Sequence, residues 1–177
     1  QININNFGNR RTSNTVIPVM PNPSIRFTGR TEIIAKLKEH FLNSPNNQVQ
    51  RRKYFLLYGM GGVGKTQICL KFIEEMSDHF SIVCWLDASS AVTITQGLKG
   101  ICNLPQARFS ALDGSMESAL CWIGSLKENY AIVFDNADSL SPSKLEAFFP
   151  PGQWGNILIT SRNSNMRGLT LPQNSLE

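Results

Sequence analysis

This sequence of 177 residues contains no apolar run that approaches the ~20 residues required to span a membrane. Its amino end, QININNFGNRR, has neither a hydrophobic segment nor a cleavage site, so we do not expect a secretory signal there. There are also no internal repeats. A composition of 41% hydrophobic and 17% charged residues then indicates a soluble globular protein, and the length suggests one domain with a sizeable core.

Cysteine is scarce, and its spacing matches no metal-binding motif. The four cysteines lie within apolar or helical stretches, at Cys69, Cys84, Cys102 and Cys121. Such residues are typical of buried free thiols in a reducing compartment. We therefore expect a cytoplasmic protein without disulfides or a cysteine-bound metal.

The chain also lacks a stripe of Lys and Arg with interleaved aromatic residues, which a nucleic-acid surface would favour. Its net charge of +4 and pI of about 9.0 arise partly from two local clusters, at residues 10–11 and 51–53. Solvated loops, or attraction of phosphates toward a nearby pocket, explain these clusters more simply. Nucleic acid and membrane are not expected as partners.

The first 27 residues are rich in Asn, Ser and Pro, which predicts an extended lead-in without helical periodicity. Residues 1–8 alternate Ile with Asn. That pattern is compatible with a small edge strand or a self-associating β-stack, because Asn ladders favour cross-β packing. A linker between domains is the simpler interpretation.

Strands alternate with helices along the rest of the chain, which predicts an α/β fold with a parallel sheet covered on both faces. Thr31 is the expected cap of the first helix, which runs to residue 42. Further helices are predicted at residues 67–76, 92–101, 116–126 and 142–148. Strands are predicted at residues 55–58, 81–89, 130–134 and 156–160, with a short last strand at 169–171.

The first of these strands runs into the motif G-x-x-x-x-G-K-[ST], within YFLLYGMGGVGKT at residues 54–66. Lys65 can reach the β- and γ-phosphates of a nucleotide, and the Thr66 hydroxyl can hold Mg²⁺. A helix that begins at about Lys65 would turn its positive end toward the phosphates. The loop residues expected to cradle the phosphates are Gly59, Gly61, Gly62, Val63 and Gly64.

A candidate metal ligand, Asp135, follows the buried strand YAIVF, at the carboxyl edge of the sheet where ligands bind. We expect Asp135 to hold Mg²⁺ together with Thr66, although a turn or helix-cap role is the alternative. The next residue is Asn136, which cannot accept a proton from water. Asp138 or Asp87 could replace it or be structural, so we expect slow or absent hydrolysis.

A third candidate, Arg162, follows the buried strand NILIT. A guanidinium there can make a charge-assisted bond to the γ-phosphate of ATP that ADP does not offer. Such a differential contact is what a nucleotide-dependent switch requires. The alternative is a surface Arg that pairs with a neighbouring carboxylate.

These elements, in this order, resemble the NB-ARC domain of NOD-like receptors, in the STAND class of P-loop NTPases. The resemblance rests on RFTGR, YGMGGVGKT, WLDAS, IVFDNAD and NILITSR, whose wording is most similar to fungal members. It implies a three-layer sandwich with a five-stranded parallel sheet. In that sheet the strand before Arg162 would lie between the strand before the phosphate loop and the strand that ends in Asp135.

The resemblance also implies ADP or ATP as ligand, with Mg²⁺. Lys65, Asp135 and Arg162 would be the catalytic residues, and Gln67 would border the nucleotide. The segment before the first helix would close over adenine, with the pocket formed by Phe27, Thr28, Gly29 and Arg30.

Residues 1–23 would be a lead-in and residues 24–177 an NB-ARC domain, ending before the helical and winged-helix domains of a larger receptor. The function implied is a regulatory switch that controls self-association of the full-length protein and then defence or cell-death signalling. Two alternatives stay open: an active phosphoryl-transfer enzyme, such as an ATPase or small-molecule kinase, and the ATPase module of a transcriptional regulator.

Overall fold

A computed structural model describes residues 20–43, 51–108, 110–172 and 175–176, so the Asn-rich residues 1–8 lie outside the described part. The strands are β1 (Lys53–Tyr58), β2 (Ile82–Asp87), β3 (Tyr130–Asp135), β4 (Asn156–Ser161) and β5 (Ser175–Leu176). The helices are α1 (Thr31–Leu42), α2 (Lys65–Glu75), α3 (Ala91–Ile101), α4 (Pro105–Arg108), α5 (Met116–Ser125) and α6 (Pro142–Glu146). A 3₁₀ helix covers Ser164–Leu169.

The sheet has the order β2-β3-β4-β1-β5, and every pairing in it is parallel. The α/β class and the position of β4 between β1 and β3 are therefore confirmed. Four strands of six residues form the body of the sheet, whereas the fifth is a two-residue pairing with β1. Five full strands are not present in the described residues.

The short strand predicted at residues 169–171 is wrong. The side chain of Asn163 accepts a hydrogen bond from the backbone N–H of Asn165 at 3.0 Å, and this contact starts the 3₁₀ helix that ends at Leu169. The chain pairs with β1 only later, at β5. An apolar residue on either side of a threonine was too weak a signal to distinguish these outcomes.

Both faces of the sheet are covered by helices, because its strands alternate between two apolar clusters. On one face, β1 and β3 side chains such as Phe55 and Val133 pack with α1 and α2. On the other face, Leu56 and Phe134 pack with α3, α5 and α6. A strand buried on both faces is apolar throughout, which is why its sequence shows no alternation.

Helix α1 starts differently from the prediction. Thr31 is its first residue rather than its cap, and the N-cap is Arg30, which makes no side-chain capping bond. Gly29 and Arg30 both have positive φ, at 80° and 58°, so the chain turns sharply before the helix begins. Glycine adopts this conformation readily, but an arginine does so uncommonly.

The four cysteines are free, and the prediction that they are buried holds for two of them. Cys69 and Cys84 are buried, and burial raises the pKa of Cys84 to about 12. Cys102 is half-buried, and Cys121 is exposed, so the prediction is wrong for Cys121. No helix among the described residues combines the length and the apolar character needed to cross a bilayer.

The basic cluster at residues 51–53 lies at the amino edge of the sheet, at the start of β1. Arg52 Nε donates to the carbonyl of Trp154 at 2.8 Å, and Lys53 Nζ donates to the carbonyl of Phe41 at 2.8 Å. Lys53 therefore satisfies the carboxyl end of α1. The phosphate loop follows the opposite end of β1, so this cluster does not adjoin the loop, and the alternative that it attracts phosphates stays a prediction.

Candidate functional site

The phosphate loop, residues 59–64, connects β1 directly to α2. Helix α2 begins at Lys65, as the motif predicts, and Gly64 is its N-cap with a φ of 92°. The N–H of Gly59 donates to the Ser161 carbonyl at 3.1 Å, which ties the loop to the end of β4. The amino end of an eleven-residue helix thus faces the loop, and such an end favours a bound anion.

Lys65 folds back across this loop. Its Nζ donates to the carbonyls of Gly59 and Met60, at 2.6 and 2.8 Å. Burial lowers the pKa of Lys65 and the Arg162 charge adds to that, whereas the Asp138 and Asp135 carboxylates act in the opposite direction. The ammonium group therefore lies inside the loop, among the charges that the sequence analysis singled out.

Asp135 meets Thr66 at the end of β3. Oδ1 of Asp135 accepts from the Thr66 hydroxyl at 2.9 Å and from the Thr160 hydroxyl at 2.6 Å. Thr160, buried on β4, also accepts from the N–H of Asn136 at 2.8 Å. The sequence predicted the pairing of Thr66 with Asp135, but nothing in it indicated that Thr160 links the two strands.

The pair of Thr66 and Asp135 suits Mg²⁺, which prefers hard oxygen ligands. No group of three or more His, Cys, Asp or Glu side chains suited to a metal ion occurs in the described part of the chain. Mg²⁺ characteristically binds one or two carboxylates and completes its shell with phosphates and water. These two residues therefore fit a Mg²⁺ ion whose other ligands would be phosphate oxygens and water.

Arg162 lies beside the phosphate loop and pairs with Asp138. Its Nε donates to Oδ2 of Asp138 at 2.6 Å, and its backbone N–H donates to Oδ1 at 2.6 Å. A Cβ atom added to Gly61 would lie 3.6 Å from Nη1 of Arg162, so the guanidinium is adjacent to the loop. Arg162 thus pairs with a neighbouring carboxylate, as the alternative expected, and its role toward the γ-phosphate of ATP stays a prediction.

The residue that follows Asp135 does not supply a base. Asn136 is exposed and has a φ of 67°, a left-handed conformation that Asn tolerates. Of the two acidic candidates, Asp138 is engaged by Arg162, and Asp87 accepts from the N–H of Ser89 at 2.9 Å in a local turn. Sequence reasoning left a catalytic and a structural role open for both acids, and both make structural contacts.

A cavity of about 240 Å³ opens next to the loop. Of the predicted adenine residues, Arg30 lines it, whereas Phe27, Thr28 and Gly29 do not; Phe27 packs instead against the apolar cluster of α1 and α2. Gly59, Val63 and Lys65 line it as well. The apolar part of its wall was missed. Four of its residues have the sequence pattern of ordinary strand and helix positions, at Ile33, Leu57, Tyr58 and Ile68, and the fifth, Met60, is a variable position of the loop motif.

Gln67 contacts the lead-in segment. Its Oε1 accepts from the N–H of Ser24 at 2.7 Å, and nearby Nη2 of Arg30 donates to the Val63 carbonyl at 3.4 Å. These two bonds hold the segment before α1 against the loop and α2. The expected roles of Gln67 and Arg30 toward a nucleotide stay predictions.

Solved structures with a similar fold include Cdc6p from Pyrobaculum aerophilum, at 18% identity and a TM-score of 0.59. Another is the ORC2 protein from Aeropyrum pernix in ADPNP–ADP complexes, at 15% identity and a TM-score of 0.55. Each match covers 88% of this chain, and 44% and 46% of those chains respectively, so this chain spans less than half of their length. At these identities the likeness concerns the fold alone. No curated protein sequence matches this chain.

The chain also matches the NB-ARC domain family over residues 30–171. That range runs from the N-cap of α1 to beyond the 3₁₀ helix, so it includes the phosphate loop, Asp135 and Arg162. The phosphate loop, the helix that starts at Lys65 and the carboxylate at the end of β3 occur together in P-loop NTPases. This chain belongs to the NB-ARC family and is a nucleotide-binding P-loop module.

Proposed function

We propose that this domain binds ADP and ATP with Mg²⁺ and acts as a regulatory switch, with slow or no hydrolysis. ADP would hold the full-length protein inactive, and ATP would favour self-association. As in the NOD-like receptors that the sequence resembles, assembly would then lead to defence or cell-death signalling. The domain would work inside the cell as a slowly hydrolysing or non-hydrolysing switch and not as a high-turnover enzyme.

The observation that carries this proposal is the position of Arg162 beside the phosphate loop, at 3.6 Å from the Cβ position of Gly61. A ligand shifts a two-state equilibrium only by its differential affinity for the two states. ADP and ATP differ by one phosphate, so a switch needs a group that contacts the third phosphate alone. Arg162 is a suitable group because its guanidinium is always charged and can bind phosphate with two donors.

Slow turnover is supported by Asn136 and by the engagement of Asp138 with Arg162. In P-loop NTPases a residue that orients the attacking water is part of the catalytic apparatus, and the carboxamide of Asn136 cannot take a proton. Binding without rapid hydrolysis suits a switch, because the ATP-bound state must last long enough for assembly.

Two measurements test this proposal on the purified chain. Denaturation followed by chromatography should release adenine nucleotide, and phosphate release should stay below about one turnover per minute. Asn136→Asp should raise that rate at least about tenfold, since Asp also tolerates positive φ. Asn136→Gly is the matched control, because it keeps the backbone conformation without a carboxylate. Turnover of many molecules per second by the unmodified chain would contradict the switch.

A further inference from the structure

The acidic residue Asp138 ends the sequence IVFDNAD and is the partner of Arg162. We propose that Asp138 is a positioning residue that holds the Arg162 guanidinium toward the third phosphate of ATP and thereby sets the preference for ATP over ADP. This inference rests on the proposed function, and it assigns part of the switch to a residue three positions after Asp135.

Asp138 is itself held rigidly. It follows Ala137, whose N–H donates to the Thr160 carbonyl at 2.8 Å and whose carbonyl accepts from the Ser161 hydroxyl at 2.8 Å. These bonds join the ends of β3 and β4. The Asp138 side chain is only 14% exposed, whereas that of Arg162 is 60% exposed. The carboxylate is therefore the fixed partner, and the long Arg162 side chain is the one that it restrains.

The restraint acts at two points on Arg162. Oδ1 of Asp138 accepts from the Arg162 backbone N–H at 2.6 Å, and Oδ2 accepts from Nε at 2.6 Å. The Ser161 hydroxyl lies 3.4 Å from Oδ1 and adds a third contact. Because one carboxylate grips both the backbone and the first guanidinium nitrogen, it limits the torsions between them. Without this restraint, an arginine side chain that is 60% exposed would populate many rotamers.

The edge of the guanidinium that does not bind Asp138 faces the phosphate loop. The bond to Asp138 uses Nε, and Nη1 is the nitrogen that lies nearest Gly61. Arginine can bind a carboxylate on one edge and a phosphate on the other, because its donors form a planar fork. Lysine has a single ammonium nitrogen at the end of a flexible stem and cannot reproduce that arrangement.

Electrostatics make the positioning role distinguishable from a simple effect of charge. Partial burial acts to raise the pKa of Asp138, but the hydrogen bonds and charge of Arg162 outweigh it and lower that pKa, so Asp138 is ionised at neutral pH. An anion beside the phosphates repels ATP more than ADP. Removing its charge alone would therefore raise the preference for ATP, whereas losing the restraint on Arg162 would lower it.

The test is calorimetric titration of ADP and of ATP, each with Mg²⁺, into the full chain. The readout is the ratio of the ADP dissociation constant to the ATP dissociation constant. Asp138→Asn should lower this ratio about fivefold or more while the ADP constant stays within about threefold of wild type. Asp78→Asn is the matched control, since Asp78 is exposed between α2 and β2, at the other edge of the sheet, and its ratio should not change.

A double-mutant cycle then shows whether Asp138 acts through Arg162. Arg162→Gln should lower the ratio by itself, and adding Asp138→Asn to it should lower the ratio no further. A ratio that stays at the wild-type value or rises in Asp138→Asn overturns the inference. So does an equal additional fall in the double variant, because Asp138 would then act independently of Arg162.

Arg162→Lys is a second variant that leaves Asp138 unchanged, for use if Asp138→Asn does not fold. It tests whether the forked guanidinium, and not its charge alone, sets the ratio. It keeps the positive charge but lacks the fork, so the ratio should fall, and a wild-type ratio in this variant also overturns the inference. If the wild-type chain binds neither nucleotide, the proposed function fails and takes this inference with it. If it binds both, and only the Asp138 arms disagree, the positioning role alone fails.

Discussion

The Thr66 hydroxyl donates a hydrogen bond to Oδ1 of Asp135 at 2.9 Å, although 69 positions separate the two residues. The sheet order explains this contact, because β4 lies between β1 and β3 and Thr66 reaches over the end of β4. On β4 itself, Thr160 donates to the same oxygen. The two residues expected to bind Mg²⁺ are thus in direct contact with each other.

Thr160→Val should destabilise the domain by about 1–3 kcal/mol, because it leaves the Asn136 N–H without its buried acceptor and removes one donor from Asp135. Valine has nearly the same shape, so packing should not change much. Urea denaturation measures the difference. Thr31→Val is the matched control at an exposed position, where we expect a change within about 0.5 kcal/mol. Equal stability of Thr160→Val and wild type would mean that this hydroxyl link contributes little.

Gly155→Ala should destabilise the domain by at least about 2 kcal/mol. Gly155 has a φ of 95°, and an added Cβ would collide with the ring of Tyr130, whose hydroxyl donates to the Trp154 carbonyl at 2.8 Å. Gly168→Ala is the control, since an added Cβ there meets nothing within 4 Å. Thermal unfolding of both variants tests this pair, and a similar melting temperature for the two would contradict the collision.

His40 should make the domain less stable in mild acid. Burial lowers the pKa of His40 below its ordinary value of 6.5, and the Lys53 charge adds to the effect. Its Nε2 is buried without a hydrogen-bond partner in the described part of the chain, and its ring packs edge-on against Phe55 at 5.3 Å. The folded state therefore binds fewer protons than the unfolded state as the pH falls below 6.5.

It follows that the stabilisation from neutral His40 is complete above pH 6.5 and is lost as the pH falls from there through the lowered pKa. Urea denaturation at about pH 5.5 and about pH 7.5 should show a smaller loss of stability for His40→Gln than for wild type. His79→Gln changes the second histidine, which is exposed, and should keep the wild-type loss. The same loss in His40→Gln would contradict a role for His40.

The sequence was sufficient for the parts of the fold and site that strong local patterns encode. Buried strands such as β1 and β3 are continuous apolar runs, and the glycine-rich loop places the start of α2 at Lys65. Since parallel strands bring their carboxyl ends to one edge, Asp135 and Arg162 could be expected near the loop from their positions alone.

What the sequence did not predict depends on contacts between distant segments. Asp138 and Arg162 are 24 positions apart. From the sequence alone, Asp138 could equally have been an unpaired residue of a solvent-exposed turn. Ile33 and Ile68 line the cavity, yet in the sequence they are ordinary apolar helix residues. The left-handed conformation of Arg30 gives no signal in its residue type, so the sequence analysis placed the cap of α1 one residue too late, at Thr31 instead of Arg30.

The central claim is that the loop, Lys65 and a bound cation converge on the phosphates of an adenine nucleotide. Calorimetric titration of ADP with Mg²⁺ into the wild-type chain and Lys65→Ala tests it most directly, with Lys99→Ala on α3 as the control. Removing a charge-assisted bond costs about 1.5–3 kcal/mol, so Lys65→Ala should weaken ADP binding at least about tenfold and Lys99→Ala should leave it unchanged. Equal ADP affinity in Lys65→Ala and wild type, or no uptake of adenine nucleotide by the wild-type chain, would contradict the claim.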